Sequence, residues 1–431
     1  MNVESEKAGY NLSPGHRRYI FILLFLLYLF DYMDRLVITS LFPFLKADWG
    51  LTDAQCGMMV SAVYWSIVIF TFPVSILVDR WSRKKTIALM GIVWSIGTAI
   101  CAFTKNFSQL FASRTIIGIG EAGYAPGGTA MIAGMYPQEK RSQMMGIWNI
   151  SIPLGSALGI AIGGIVATHW GWRHAFGLVA IPGFLVSFLF FFVKDYKTVE
   201  LTKAVDETSP QSARVKMSFS DKFQQFAHNP TLIFTYFGFA AVVFCTTSLL
   251  TWLPTYFHRF HGIAESQAGI KASLVMMLAL VGAPLGGYLS DKWMKRRLNA
   301  RLLFPALSTI ITAILLFIGL TFFSGNIQYA FILVVGLTII LFLPSAAAAT
   351  QDVVHPGLRA ISYAWCVIFQ NLLGASLGPL FIGAISDRYN IKIALGILPV
   401  FLLLASVLFL AGSFFYTRDL SRVEKVELEV E

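Results

Sequence analysis

Long apolar stretches broken by short polar ones set the rhythm of this 431-residue chain. A helix needs about 20 apolar residues, at roughly 1.5 Å rise each, to cross a bilayer. Twelve stretches meet that length, at about residues 17–44, 54–77, 85–103, 107–131, 142–169, 174–194, 231–257, 266–289, 300–321, 326–350, 359–384 and 391–416. The one long polar interval, around KDYKTVELTKAVDETSPQSARVK, reads as a solvated linker. The pattern predicts an all-α membrane protein of twelve transmembrane helices in two six-helix bundles. Residues 1–194 form the first bundle, 195–230 a cytoplasmic linker, and 231–431 the second bundle with a short cytoplasmic tail.

Two spans break the apolar pattern with charge. Between FILLFLLYLF and LVITSLFPFL the first carries Asp31-Tyr32-Met33-Asp34-Arg35. A charge at bilayer depth costs about 2.5–3.5 kcal/mol on insertion scales, so it needs a partner or a watery cavity. At helical spacing Asp31, Asp34 and Arg35 share a face that Tyr28 and Tyr32 flank. That face is expected to line a path. Mutual neutralisation of Asp34 and Arg35 explains it less well, because leucine at both positions is the cheaper neutral core. Asp31 leaves two readings open, a second titrating site or a water-exposed group at a cavity mouth.

The fourth span carries Arg114-Thr-Ile-Ile-Gly118-Ile-Gly120-Glu121-Ala-Gly123-Tyr124-Ala-Pro126. Arg114 and Glu121 are two helical turns apart on one face, about 10 Å end to end. The glycines let another helix approach. Gly118-x-Gly120-x-x-Gly123 also matches a dinucleotide fingerprint, but no strand precedes it and it lies inside a membrane span. In so apolar a setting Glu121 is a candidate to gain and lose a proton, while Arg35 or Arg114 favours its charged form. An anionic substrate competes for the same arginines, and that competition is a physical basis for coupling.

Composition agrees with the membrane reading. The chain is 56% hydrophobic and 13% charged, where soluble domains carry about 25% charged residues. The polar N-terminal MNVESEKAGYNLSPGHRR and the long first apolar stretch do not resemble a cleavable signal. Cys56, Cys101, Cys245 and Cys366 lie far apart in apolar surroundings, with neither metal spacing nor a disulfide framework. His169, His174, His258 and His261 read as interface residues, not a metal site. The net charge of +10 is a matter of topology. Most Lys and Arg fall on the side of the termini and linker, in clusters such as Arg80, Arg83, Lys84, Lys85 and Lys292, Lys295, Arg296, Arg297. The positive-inside rule then places both termini in the cytoplasm, in an inner or plasma membrane, and nucleic acid is excluded as a partner.

The halves repeat. Gln55-Cys56-Gly57 recurs as Gln267-Ala268-Gly269, and Asp79-Arg80-Trp81 as Asp291-Lys292-Trp293, at one offset. Pro43 answers to Pro254, and Gly155, Gly159 and Gly163 to Gly374, Gly378 and Gly383. Two parallel six-span repeats predict a binding site at their interface near the midplane, with rocking-type alternating access. The glycine stripe of the fifth span reads mostly as close helix packing.

The loop Ser75-Ile-Leu-Val-Asp79-Arg80-Trp-Ser-Arg83-Lys84-Lys85 and its partner Gly287-Tyr-Leu-Ser-Asp291-Lys292-Trp-Met-Lys295-Arg296-Arg297 resemble the cytoplasmic signature of the major facilitator superfamily, Gly-x-x-x-Asp-Arg/Lys-x-Gly-x-x-Arg/Lys. The first copy departs from it at Ser75 and Ser82. The resemblance implies a breakable ionic latch made by Asp79, Arg80, Arg83, Asp291 and Lys292 that favours the outward-facing state. Asp34-Arg35 together with the Glu121 motif is similar to the spinster-like branch and to neighbouring anion:cation symporters of sugar acids and carboxylates. Gln351-Asp352, Arg359 and Gly378-Pro379 with Ser386-Asp387 look spinster-like; Thr251-Trp252-Leu-Pro254-Thr-Tyr256 is more typical of the symporters. The resemblance implies proton sites at Asp34 and Glu121 and substrate or coupling roles for Arg35 and Arg114.

The second half holds softer candidates. They are Thr246, Thr247, Trp252 and Tyr256 in the seventh span, and Tyr363, Trp365, Gln370 and Asn371 in the eleventh. The aromatic ones fit bundle core better. Adjacent amides in lipid must hydrogen-bond something, so Gln370 or Asn371 is expected to face substrate, together with Tyr32. The sequence thus predicts a monomeric, proton-driven carrier of an organic anion, needing no cofactor. A carrier of lysophospholipid or sphingosine-type lipid is the alternative. An intramembrane enzyme lacks its motifs, and no P-loop suggests a pump.

Overall fold

The chain turns wherever a cap or a glycine permits. Ser13 Oγ accepts from the His16 N–H at 3.3 Å and Pro14 opens the first helix; Asn106, Asn229 and Asn390 cap later helices in the same way. The computed structural model describes residues 13–80, 82–136, 138–194, 229–354 and 359–423. These are helical almost throughout, with no strand among them. The linker lies outside the described residues apart from its last two, which begin the seventh span.

Ten helical stretches are long and apolar enough to cross a membrane. The first and fourth predicted spans do not qualify: the helix Pro14–Val37 is long enough but carries too many charges, Asp31, Asp34 and Arg35 among them, and the helix Phe107–Glu121 is too short. The first runs as Pro14–Val37, a 3-10 turn Ile38–Ser40, and Phe42–Trp49. The fourth stops at Glu121 (Phe107–Glu121) and resumes as Tyr124–Met135. With these two, the twelve-helix, two-bundle arrangement stands.

The internal repeat has a structural meaning at its glycines. Gly50 ends the first span and Gly262 the seventh, both in left-handed backbone at φ +64° and +63°. A Cβ on Gly57 would strike the Pro379 carbonyl, and one on Gly269 would lie 2.9 Å from the Ile160 carbonyl. The second span thus meets the eleventh, and the eighth meets the fifth, backbone against backbone across the bundle interface. Within the first bundle, Cβ atoms on Gly155, Gly159 and Gly163 would collide with the carbonyls of Leu29, Met33 and Val37. Gly374 and Gly378 meet the Ala240 and Phe244 carbonyls of the seventh span in the same way. The glycine stripe therefore seats the fifth span directly on the helix that carries Asp31, Asp34 and Arg35. Filling that seat forces helices apart at a cost of about 1–3 kcal/mol. Gly159→Val is expected to lower the thermal unfolding temperature in detergent clearly, whereas Gly146→Val, where a Cβ meets nothing within 4 Å, leaves it unchanged.

The described residues that flank the termini and the linker meet pairwise at one end. There Tyr19 Oη donates to the Leu189 carbonyl at 3.2 Å, and Thr231 Oγ1 donates to Asp419 at 2.6 Å. A dense set of bonds joins the bundles at the opposite end. Arg259 of the seventh span grips Asp53 of the second with two N–H donors at 2.7 Å each. Lys46 reaches the same carboxylate at 2.5 Å and Ser386 Oγ at 2.6 Å. Asp387 accepts from the backbone N–H groups of Asp53 and Ala54 at 2.6 and 2.8 Å, capping the second span with a charge from the other bundle. Deeper in, Ser61 Oγ donates to the Ser376 carbonyl.

Candidate functional site

The charges of the first and fourth spans meet in two rungs. Arg35 Nη2 lies 2.9 Å from Asp31 Oδ2, and its Nε lies 2.9 Å from Glu121 Oε2. One guanidinium is thus shared by two carboxylates from different spans. Both carboxylates are buried, whereas 12% of the Arg35 side chain stays exposed. Glu121 Oε1 is buried with no hydrogen-bond partner among the described residues. Asp31, at 0% exposure, is not a water-exposed group at a cavity mouth; a helix turn above Arg35 it is locked into the protein interior.

The second rung is Arg114 with Asp34, at 3.7 Å. Arg114 is fully enclosed. It donates to the Asp34 and Arg35 carbonyls at 3.1 Å each, and to the Met59 carbonyl at 3.4 Å. The Asp34 and Arg35 carbonyls belong to the last turn before the 3-10 break, where a helix end leaves acceptors unsatisfied; the Met59 carbonyl belongs to the second span. Arg114 therefore holds the broken end of the first span together, and its guanidinium does not face open space. Thr98 Oγ1 of the third span donates to Asp34 Oδ2. A lysine at 114 cannot reach three carbonyls with one ammonium, and each orphaned acceptor costs about 1–3 kcal/mol. Arg114→Lys is expected to lose roughly a hundredfold or more of substrate exchange, with a lowered unfolding temperature.

Aromatic rings wall the cluster. Arg35 lies over Tyr32 at 4.7 Å and Tyr64 at 5.9 Å, contacts that attract a cation to the ring face. Tyr28 stacks on Trp148 at 4.2 Å and packs edge-on against Tyr32 at 5.2 Å. Tyr124 Oη and Trp148 Nε1 both donate to the Leu24 carbonyl. Thr98, Tyr64 and Trp148 had no signal in the sequence, since a hydroxyl or ring in a span is usually core.

Gln370 and Asn371 open a π-helical stretch, Gln370–Ala375, in the eleventh span. Such stretches interrupt α-helices most often at functional positions. Both are half-buried; Gln370 Nε2 donates to Cys366 Sγ at 3.3 Å. Tyr363, two turns before Gln370, lies close enough to Tyr32 for an electrostatic interaction across the bundles. Neither amide hydrogen-bonds to the charged cluster. Trp252 and Tyr256 are core, fully buried and bonded to the Pro379 carbonyl at 3.0 Å and Gln328 at 2.9 Å. Thr246 and Thr247 bond back to their own helix. Among the described residues no His, Cys, Asp and Glu gather to hold a metal, and the four cysteines are free and buried.

The side chains of Asp79, Arg80 and Arg83 lie outside the described residues. In the second copy Asp291 pairs with Arg301 at 2.9 Å, and Lys292 stands over the Tyr288 ring at 6.0 Å. Arg301 also bonds Asp352 at 3.0 Å, which accepts from Tyr416 Oη at 2.8 Å. This network stays inside the second bundle.

Comparison with known proteins agrees with this architecture. The family model described as Major Facilitator Superfamily matches residues 24–379. The hexuronate transporter of Bacillus subtilis (strain 168) is 27% identical, over 86% of this chain and 88% of its own length. Protein spinster homolog 1 of Xenopus laevis is 28% identical over 86% of this chain and 73% of its own. Among solved structures, a bacterial homologue of the human lysosomal transporter spinster, in an inward-facing and occupied conformation, superposes with a TM-score of 0.82. It is 22% identical and covers 95% of this chain and 99% of that one, so it speaks for the fold. Relatives on both the spinster and the sugar-acid side answer the mixed motifs of the sequence, and they are transporters, not enzymes. Twelve spans in two repeated bundles, buried charge at their centre and a family match across most of the length lead to one conclusion: this chain is a membrane transporter that belongs to the major facilitator superfamily.

Proposed function

We propose that this carrier moves a small organic anion of the sugar-acid kind, driven by protons, through rocking of the two bundles. Arg35 carries the reading. It is the cluster's cation with side-chain surface still exposed, and two carboxylates hold it. An anion arriving at Arg35 displaces Glu121, and Glu121 is relieved of its charge by a proton. Asp34 is the second proton site, opposite Arg114. Tyr32 meets the substrate beside Arg35, and Gln370 and Asn371 meet it from the other bundle. Asp79, Arg80 and Arg83, with Asp291 and Lys292, act as the latch of the termini side, which faces the cytoplasm; the carrier works as a monomer.

The hexuronate relative supports a sugar acid as cargo, and the cluster supports it independently. A compact carboxylate matches one guanidinium bidentately, and sugar rings suit the aromatic walls. A lysolipid gives the buried charges less to recognise. The test is uptake of labelled D-glucuronate into proteoliposomes that are acidic outside and alkaline inside. Accumulation is expected to collapse on adding a protonophore. Uptake of lysophosphatidylcholine or sphingosine instead, or glucuronate uptake indifferent to the gradient, would sink the reading.

A further inference from the structure

Three buried carboxyl groups face two guanidinium groups in this cluster. Arg114 and Asp34 form a one-to-one pair with Thr98 as a further donor. The remaining three groups do not balance: Asp31 and Glu121 both draw on Arg35. Charge that could correct this would have to come from the surroundings of Asp31. On its own helix these are Tyr28, Tyr32, Asp34 and Arg35; from the second span Tyr64; from the fourth Glu121 and Tyr124, with Arg114 beyond Asp34. None supplies a second cation that is not already matched. A second observation points the same way: Glu121 Oε1 is buried with no hydrogen-bond partner among the described residues, while Asp31 and Glu121 meet at one guanidinium, each 2.9 Å from Arg35. A lone carboxylate oxygen beside another carboxyl group is the place a proton would satisfy.

We propose that Asp31 is a positioning residue that keeps a proton on the site: in the empty carrier Asp31 and Glu121 share one proton across Arg35. The proton comes from water on the open side and sits on one carboxyl as an O–H donor to the other. The triad is then neutral before any substrate arrives, and Arg35 is held by a single net charge spread over two partners. Without Asp31, Arg35 is matched by a fully ionised Glu121, and the site must find its proton at the moment the anion binds. The consequence for transport rests on the proton-coupled reading above; the resident proton itself does not.

Infrared spectroscopy of the empty, purified full chain near neutral pH tests the proton directly. The wild type is expected to show a protonated-carboxyl carbonyl band that shifts in deuterium oxide. Asp31→Asn and, independently, Glu121→Gln should each remove the same component of it, because either leaves one carboxylate against Arg35, whereas Asp34→Asn leaves that component in place. A wild type without the band, or a band undiminished in Asp31→Asn, overturns the proposal. The pH profile of D-glucuronate uptake supplies the readout that a merely structural role would not move: in Asp31→Asn its half-maximal point should shift about one pH unit to the acid side. An unmoved profile also overturns it. If the wild type takes up no glucuronate at any pH, the transport reading fails alone, and the infrared result decides the role of Asp31.

Discussion

In proteoliposomes the Glu121→Gln variant is expected to exchange labelled D-glucuronate across the membrane but to lose its accumulation against a gradient, by roughly tenfold or more. The asymmetry follows from who holds Arg35. Removing one partner of a buried ion pair is usually severe, since it strands the other charge. Here Asp31 remains at 2.9 Å, so Arg35 stays paired and the helix pair stays assembled. The glutamine keeps the shape and a hydrogen-bonding oxygen but can neither take up nor release the proton. An anion still competes for Arg35 and still crosses when the bundles rock. Its passage no longer carries a proton, and its binding becomes less sensitive to pH. Counterflow and pH-driven uptake, measured on the same vesicles, separate the two. Loss of both, in a variant that unfolds at the wild-type temperature, would assign Glu121 to substrate binding.

The second large effect is expected at the far end, where Arg259 grips Asp53. Cutting Arg259 to alanine leaves Asp53 with Lys46 and Ser386 but removes the bidentate bridge between bundles. Arg259 is 30% exposed, so screening reduces the loss to about 1 kcal/mol, or roughly fivefold in the balance between closed and open forms. The chain carries its own reporter. Cys56 follows Asp53 by one helical turn and is fully buried within the electrostatic reach of Lys46, Asp53, Arg259 and Asp387. A membrane-impermeant maleimide added from that face should label Cys56 slowly in the wild type and about fivefold faster in Arg259→Ala, with the modified residue identified by mass spectrometry. A Cys56 that stays silent in the variant would mean that the glycine contacts alone keep this face shut.

What the sequence made legible was what lipid makes expensive. Charge inside an apolar run stands out, so Asp34, Arg35, Arg114 and Glu121 were found without knowing their neighbours. Their partners were not legible in the same way. Nothing in the sequence distinguishes Thr98 from any other threonine that bonds back to its helix, yet it completes the Asp34 site. Arg114 reads as a second substrate cation until its three carbonyl partners are seen. Asp31 sits too near the span's middle for its exposure to be judged from spacing alone, and it is the fold that brings Glu121 of the fourth span to the same Arg35 and buries Asp31. Asp53, Arg259 and Asp387 lie at span ends, where charge costs little and therefore signals little. Their meaning is tertiary, arising when two bundles close on one another. The charges of the cluster keep the first span from being a simple apolar helix, and the break after Glu121 does the same for the fourth, although both cross.

The paired glycines of the far seam divide the molecule's labour. Gly57 against Pro379 and Gly269 against Ile160 are contacts of main chain on main chain, and main chain is common to every residue type. The seam is thus built in part from main chain that does not depend on which side chains surround the central charges, with the Asp53–Arg259 network set beside it. The glycine contacts and the charged cluster lie on different residues. On the reading proposed above, cargo preference can therefore drift, by single substitutions around the cluster, without retuning the seam.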